Sequence, residues 1–138
     1  LSHLVALDTS ALLRRYVPDR DRSLVVAEMR AATAWAASAL ARTELLLTLH
    51  RLAMHPHQHE ELWRLARADW DAFHVVPIDE ALLAAAADLG ATYGLRSTDA
   101  IHLAAADRLP RPVRYLTFER RQIPAAAELG LDVVSAVA

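Results

Sequence analysis

The sequence predicts an α/β domain with a mostly parallel sheet, and three observations carry that prediction. Leu4-Val5-Ala6-Leu7 is a continuous apolar run closed by Asp8-Thr9-Ser10, the pattern of a strand buried on both faces. Further strand-like runs are separated by helical segments along the whole chain, the arrangement that builds parallel sheets. No linker, internal repeat or low-complexity tract interrupts the 138 residues beyond a bias towards alanine. Residues 1–138 are therefore expected to form one domain, long enough to bury a sizeable core.

Taken in order, the opening strand is followed by an expected helix from Ala11 to Tyr16 that stops near Pro18, since proline breaks a helix interior. A second amphipathic helix is expected over about Ser23 to Ala32, and a second strand over Thr33 to Ser38. The segment from Leu40 to Ala53 is apolar on nearly every face, which predicts a buried helix. His55-Pro56-His57-Gln58-His59 reads as a loop, followed by a helix from Glu60 to Phe73 whose inner side offers Trp63 and Trp70 to the core. His74 to Ile78 forms a third strand, placed at a sheet edge by Pro77. Asp79 caps a helix over about Glu80 to Ala91, and a further helix spans Arg96 to Ala106 before Pro110 and Pro112. A fourth strand from Val113 to Phe118, a helix ending near Glu128 and a last strand over Asp132 to Val134 complete the reading.

Composition excludes several classes. With 54% hydrophobic and 23% charged residues, the chain is not intrinsically disordered. No apolar run approaches the roughly 20 residues needed to span a bilayer, and Asp8 interrupts the first apolar run too early for a secretory leader. Cysteine is absent, so there is no disulfide framework or thiolate metal site, and a cytoplasmic setting without membrane contact is expected. The net charge of −2 gives no global basic field of the kind simple nucleic-acid binders carry. All 15 basic residues are arginine, which excludes any mechanism that requires lysine.

Four acids stand in unusual places. Asp8 follows a buried strand, where open α/β sheets bind their ligands, although it would equally cap the next helix. Glu44 lies among leucines on a helix, where an ionised carboxylate needs a cation or a buried arginine such as Arg42 or Arg51. Asp99 falls in the first turn of a helix, a position the helix dipole favours by itself. Glu119 follows the fourth strand as Asp8 follows the first. Each has an ordinary structural explanation, but in a parallel sheet all four approach one edge. Carboxylates gathered there repel one another unless something positive sits among them. Hard divalent cations, Mg2+ or Mn2+, suit such oxygen ligands, and a site of that kind supports water-mediated cleavage of a phosphodiester. The three histidines of His55 to His59 offer another place for a transition metal, but a solvated loop is the expectation for them. His102, within an Ala/Leu helix, is expected to be packed and to orient a neighbour.

Leu7-Asp8-Thr9-Ser10-Ala11-Leu12, Glu44 on its leucine-rich helix, Arg96-Ser97-Thr98-Asp99-Ala100-Ile101-His102-Leu103-Ala104 and Leu116-Thr117-Phe118-Glu119-Arg120-Arg121 together resemble the PIN-domain nucleases. The similarity is greatest to the VapC-type toxins of bacterial toxin–antitoxin pairs, and it covers nearly the whole chain. It implies a three-layer α/β/α fold with a five-stranded sheet in the order 3-2-1-4-5. It also implies Mg2+- or Mn2+-dependent endoribonuclease activity, inhibition by a small VapB-type antitoxin, and a homodimer. The family's acids fall on Asp8, Glu44 and Asp99, with Ser10 as the accompanying hydroxyl. The fourth acid is usually Asp; here the position is Glu119, one methylene longer. On this reading Asp8, Glu44, Asp99 and Glu119 hold the metal, and Ser10 and Thr117 assist through hydrogen bonds. Arg14, Arg15, Arg96, Arg120 and Arg121 are candidates to hold RNA phosphates, the alternative for each being a solvated surface charge. Two other readings stand beside it. One is a PIN-like scaffold that only binds partners. The other is a phosphoacceptor-type phosphatase, weakened by the missing lysine and by Ser10 where that signature has a second acid.

Overall fold

Along the central strand, Val5 and Leu7 pack into one apolar cluster while Ala6 packs into another, so a single alternating strand already defines two buried layers. The structure is a computed structural model and describes residues 2–135. Its elements run β1 (Leu4–Leu7), α1 (Thr9–Leu13), α2 (Arg22–Ala31), β2 (Ala34–Ser38), α3 (Ala39–Leu52), α4 (Pro56–Trp70), β3 (Phe73–Val76), α5 (Glu80–Tyr93), α6 (Ser97–Asp107), β4 (Val113–Leu116), α7 (Gln122–Glu128) and β5 (Asp132–Val134). The strands form one five-stranded sheet in the order β3-β2-β1-β4-β5. All four pairings are parallel, with Leu4 opposite Ala34 on one side and Val113 on the other.

One face of the sheet is covered by α1, α2, α3 and α4, packed through Leu12, Val25, Met29, Leu45 and Leu49. The other is covered by α5, α6 and α7, packed through Leu82, Leu103 and the alanines of α6 and α7. The fold is thus the expected three-layer α/β/α arrangement. Each fully buried leucine stabilises it by about 1.5–3 kcal/mol relative to an exposed one. Central β1 is apolar throughout because both faces are covered, whereas the edge strands expose His74 and Asp132.

Four local expectations are corrected. The first helix begins at Thr9, not Ala11, and ends at Leu13, because the Asp8 side chain caps it directly. His55 to His59 is not a loop: His55 is the N-cap of α4, its Nδ1 accepting from the Gln58 backbone, and Pro56 occupies the first turn. A proline there costs nothing, because its missing N–H would lack an intrahelical acceptor anyway. The helix ends at Trp70, and Phe73 belongs to β3. Finally, α3 is amphipathic and not wholly buried. Ala41, Leu45 and Leu49 face the core, while Leu47 and Leu52 are 50% and 51% exposed. Trp63 and Trp70 do pack against the core, the Trp63 indole N–H donating to the Leu46 carbonyl. Among the described residues no helix is long and apolar enough to cross a membrane.

Candidate active site

Asp8 leaves the C-terminal end of β1, where the chain turns into α1, and its side chain is wholly enclosed. Four donors converge on it. Ser10 Oγ at 2.7 Å and the Ala11 N–H at 3.0 Å bond Oδ1, while Thr117 Oγ1 at 2.6 Å and Gln122 Nε2 at 3.0 Å bond Oδ2. Burial pushes the Asp8 pKa above the usual carboxylate range, against the opposing pull of the hydrogen bonds from Thr117, Ser10 and the Ala11 N–H and of nearby His102. Asp8 is therefore both the cap of α1 and the floor of a pocket.

Ser10 ties two elements together, since its Oγ also accepts from the Phe118 N–H at 2.9 Å. Thr117, just beyond β4, accepts from the Glu119 N–H through the same hydroxyl that donates to Asp8.

Glu44 projects from α3 towards this edge. Neither Arg42 nor Arg51, both exposed, pairs with it. Its Oε1 accepts from Thr9 Oγ1 at 2.6 Å and lies 2.6 Å from His102 Nε2. A carboxylate only accepts, so His102 carries its proton on Nε2. Its Nδ1 lies 3.0 Å from Ser38 Oγ at the end of β2. His102 is thus the packed, orienting histidine that its sequence context predicts. Burial alone would raise the Glu44 pKa, but the hydrogen bonds from His102 and Thr9 outweigh it and hold the value below normal.

Asp99, in the first turn of α6, is almost fully buried. Its Oδ1 accepts from Gln122 Nε2 at 3.1 Å, and its Oδ2 lies 3.3 Å from Arg96 Nε. Glu119 is more open and pairs at 3.5 Å with Nη2 of the same arginine. Arg96 thereby spans two acids.

Asp8, Glu44, Asp99 and Glu119 line one cavity of about 420 Å3, together with Ser10, Arg14, Arg96 and His102. Four carboxylates face two guanidinium groups there. The convergence takes the form of a shared cavity and not of a closed chelate. As they stand, no three His, Asp or Glu side chains among the described residues are grouped to hold a metal ion. The protein's own donors occupy them instead. The donor chemistry nevertheless suits a hard divalent cation: every candidate ligand is a carboxylate oxygen, and both hydrogen bonds of Glu44 fall on Oε1, leaving Oε2 out of the network.

The five arginine candidates separate. Arg14 reaches the cavity, anchored to the Ser10 carbonyl at 2.6 Å with its guanidinium 4.0 Å from the Phe118 ring. Arg96 lines it as described. Arg15 faces away, pairing with Asp69 at 3.0 Å in a separate hollow with Tyr16, Arg22 and Trp35. Arg120 and Arg121 are exposed and outside the cavity wall. Sequence reasoning passed over Thr9, Ser38, Tyr115 and Gln122. Gln122, set between Arg121 and Ile123, carries no spacing pattern that could have signalled it.

The fold and this acidic edge define a class: the PIN domain pattern matches residues 5–129, and the chain belongs to that family. Among curated proteins it is similar to Ribonuclease VapC47 of Mycobacterium tuberculosis (strain CDC 1551 / Oshkosh). The two are 30% identical over 137 residues, covering 96% of each chain. Among solved structures it resembles FitAcB from Neisseria gonorrhoeae, with 22% identity, a TM-score of 0.73 and coverage of 94% of this chain and 95% of the other. It likewise resembles a toxin–antitoxin complex from Klebsiella pneumoniae, with 17% identity, a TM-score of 0.71 and the same coverage. These two likenesses establish the fold.

Proposed function

We propose that this protein is an Mg2+- or Mn2+-dependent endoribonuclease and the toxin of a toxin–antitoxin pair, held in check by a small VapB-type antitoxin. The observation that carries the reading is the placing of Asp8, Glu44, Asp99 and Glu119 around one cavity at the strand ends. The curated likeness to a ribonuclease over almost the whole chain supports it, as does the fold shared with a toxin–antitoxin complex.

Asp8, Glu44, Asp99 and Glu119 would hold the ion. When bound, it supplies Lewis-acid activation of water and of the scissile phosphate. The chain's own residues do the rest. Ser10 and Thr117 fix the Asp8 carboxylate from both sides. His102, braced by Ser38, keeps Glu44 ionised and turned to the cavity. Arg14 and Arg96 stand at the rim, where guanidinium groups grip the flanking phosphates of an RNA strand. A homodimer in the cytoplasm is the state we propose for it.

The test is to incubate the purified chain with total cellular RNA and map new 5′ ends, with Mn2+, with chelator, and with Asp8→Asn as control. Discrete cuts that need both metal and Asp8 are expected. Metal binding without any cleavage would favour the scaffold reading, and cleavage by Asp8→Asn would remove the proposed site.

A further inference from the structure

Gln122 opens α7 with a side chain that no solvent reaches. Both N–H bonds and the oxygen of its amide are engaged. The two N–H bonds of Nε2 go to different carboxylates, Asp8 Oδ2 at 3.0 Å and Asp99 Oδ1 at 3.1 Å. Its Oε1 accepts the hydroxyl proton of Tyr115, itself buried in β4. Both ends of the amide agree on its orientation. Turned over, it would set a carbonyl oxygen against two acids and give them no donor. Asp8 follows β1 and Asp99 lies in α6, and among the described residues Gln122 is the side chain bonded to both.

We propose that Gln122 is a positioning residue for the metal site: its amide ties Asp8 to Asp99 and holds both carboxylates ready for one cation before that cation arrives. This rests on the metal-dependent nuclease reading above. An amide suits the task because it is neutral. A lysine or arginine in the same place would pair with the acids and compete with the ion for them, whereas the amide lowers their repulsion and leaves their charge to attract it. Tyr115 keys the arrangement by fixing which end of the amide faces the acids. The four donors on Asp8 also show that its oxygens are already placed without metal, so the ion meets a preorganised pair and not a flexible one.

The experiment is a direct Mn2+ titration of the isolated protein, followed by the electron-spin resonance signal of free Mn2+, beside thermal melts with chelator. Gln122→Met preserves volume and removes both donors. Its Mn2+ dissociation constant is expected to rise about tenfold, the loss of roughly one charge-assisted hydrogen bond's worth of placement. The Mn2+ needed for half-maximal cleavage should rise in step, by more than the rate at saturating Mn2+ falls. Tyr115→Phe keeps the amide but frees its orientation, and should give a smaller rise in the same direction, which keeps the test alive if Gln122→Met does not fold. A merely structural Gln122 would lower the melting temperature and leave Mn2+ affinity at the parent value; that result overturns the proposal. If Mn2+ binds the parent and Asp8→Asn equally, the nuclease site itself fails and this inference fails with it. Affinity lost in Asp8→Asn but unchanged in Gln122→Met refutes the positioning role alone.

Discussion

At the scale of single residues, the site is governed by two acids whose surroundings push them in opposite directions. Burial raises the Asp8 pKa, so below its unfolded-state value both states are protonated and ionisation costs nothing. As pH rises from there through the raised native value, the folded protein must give up a proton that it holds more tightly than the unfolded chain does, and stability falls. Asp8→Asn has no such group. In chelator, the stability of this variant relative to the parent is expected to increase with pH across that window, as urea titrations at several pH values will show, while Mn2+-dependent cleavage is lost. Glu44 behaves oppositely, because His102 and Thr9 keep its pKa low against the effect of burial. In His102→Ala the acid limb of the cleavage profile should move to higher pH, measured on an RNA oligonucleotide at saturating Mn2+. The acids were legible in the sequence because a charge after an apolar strand or among leucines conflicts with its setting. Gln122 and Thr9 were not, because neutral polar side chains conflict with nothing until their partners are known.

At the scale of elements, boundaries followed capping chemistry more closely than apolar pattern. Asp79 was readable as a cap, and its Oδ1 accepts from the Leu82 N–H at 2.8 Å. The Arg108 guanidinium, together with that bond, brings its pKa down to about 2. The stabilisation it gives is present above the ordinary carboxylate range and is lost as pH falls towards about 2. Asp79→Ala should therefore lower the melting temperature at neutral pH, with the gap to the parent closing on acidification. Arg108→Ala should cost less, since the cap remains. His55 acts as a cap of the same kind for α4, and it escaped recognition because histidine is not among the preferred N-cap residues. The outward leucines of α3 were equally unreadable, since a helix apolar on most faces does not say which of them the protein covers. Trp63 and Trp70, seven positions apart, were readable because two helical turns return a side chain to nearly the same face.

At the scale of the whole molecule, the parallel sheet gathers residues from both halves of the chain onto one edge, and its charge is local. With a net charge of −2, the proposed binding of RNA would rest on a few rim arginines. Arg14→Ala in an Asp8→Asn background is expected to weaken binding of a single-stranded RNA oligonucleotide and flatten its salt dependence. Arg15→Ala should leave binding unchanged and lower thermal stability, because its partners are Asp69 and the Trp35 face.

The register that sets Leu4 against Val113 has a consequence for how the protein comes into being. A ribosome that has already delivered Asp8, Glu44 and Asp99 has not yet delivered the neighbour that β1 requires, nor Thr117 and Gln122, which seat the acids. The nascent chain then carries three of the pocket's four acids without the side chains that hold Asp8 and Asp99 in place. The cavity is thus completed only once β4 and α7 have joined the sheet and brought Thr117 and Gln122 to Asp8.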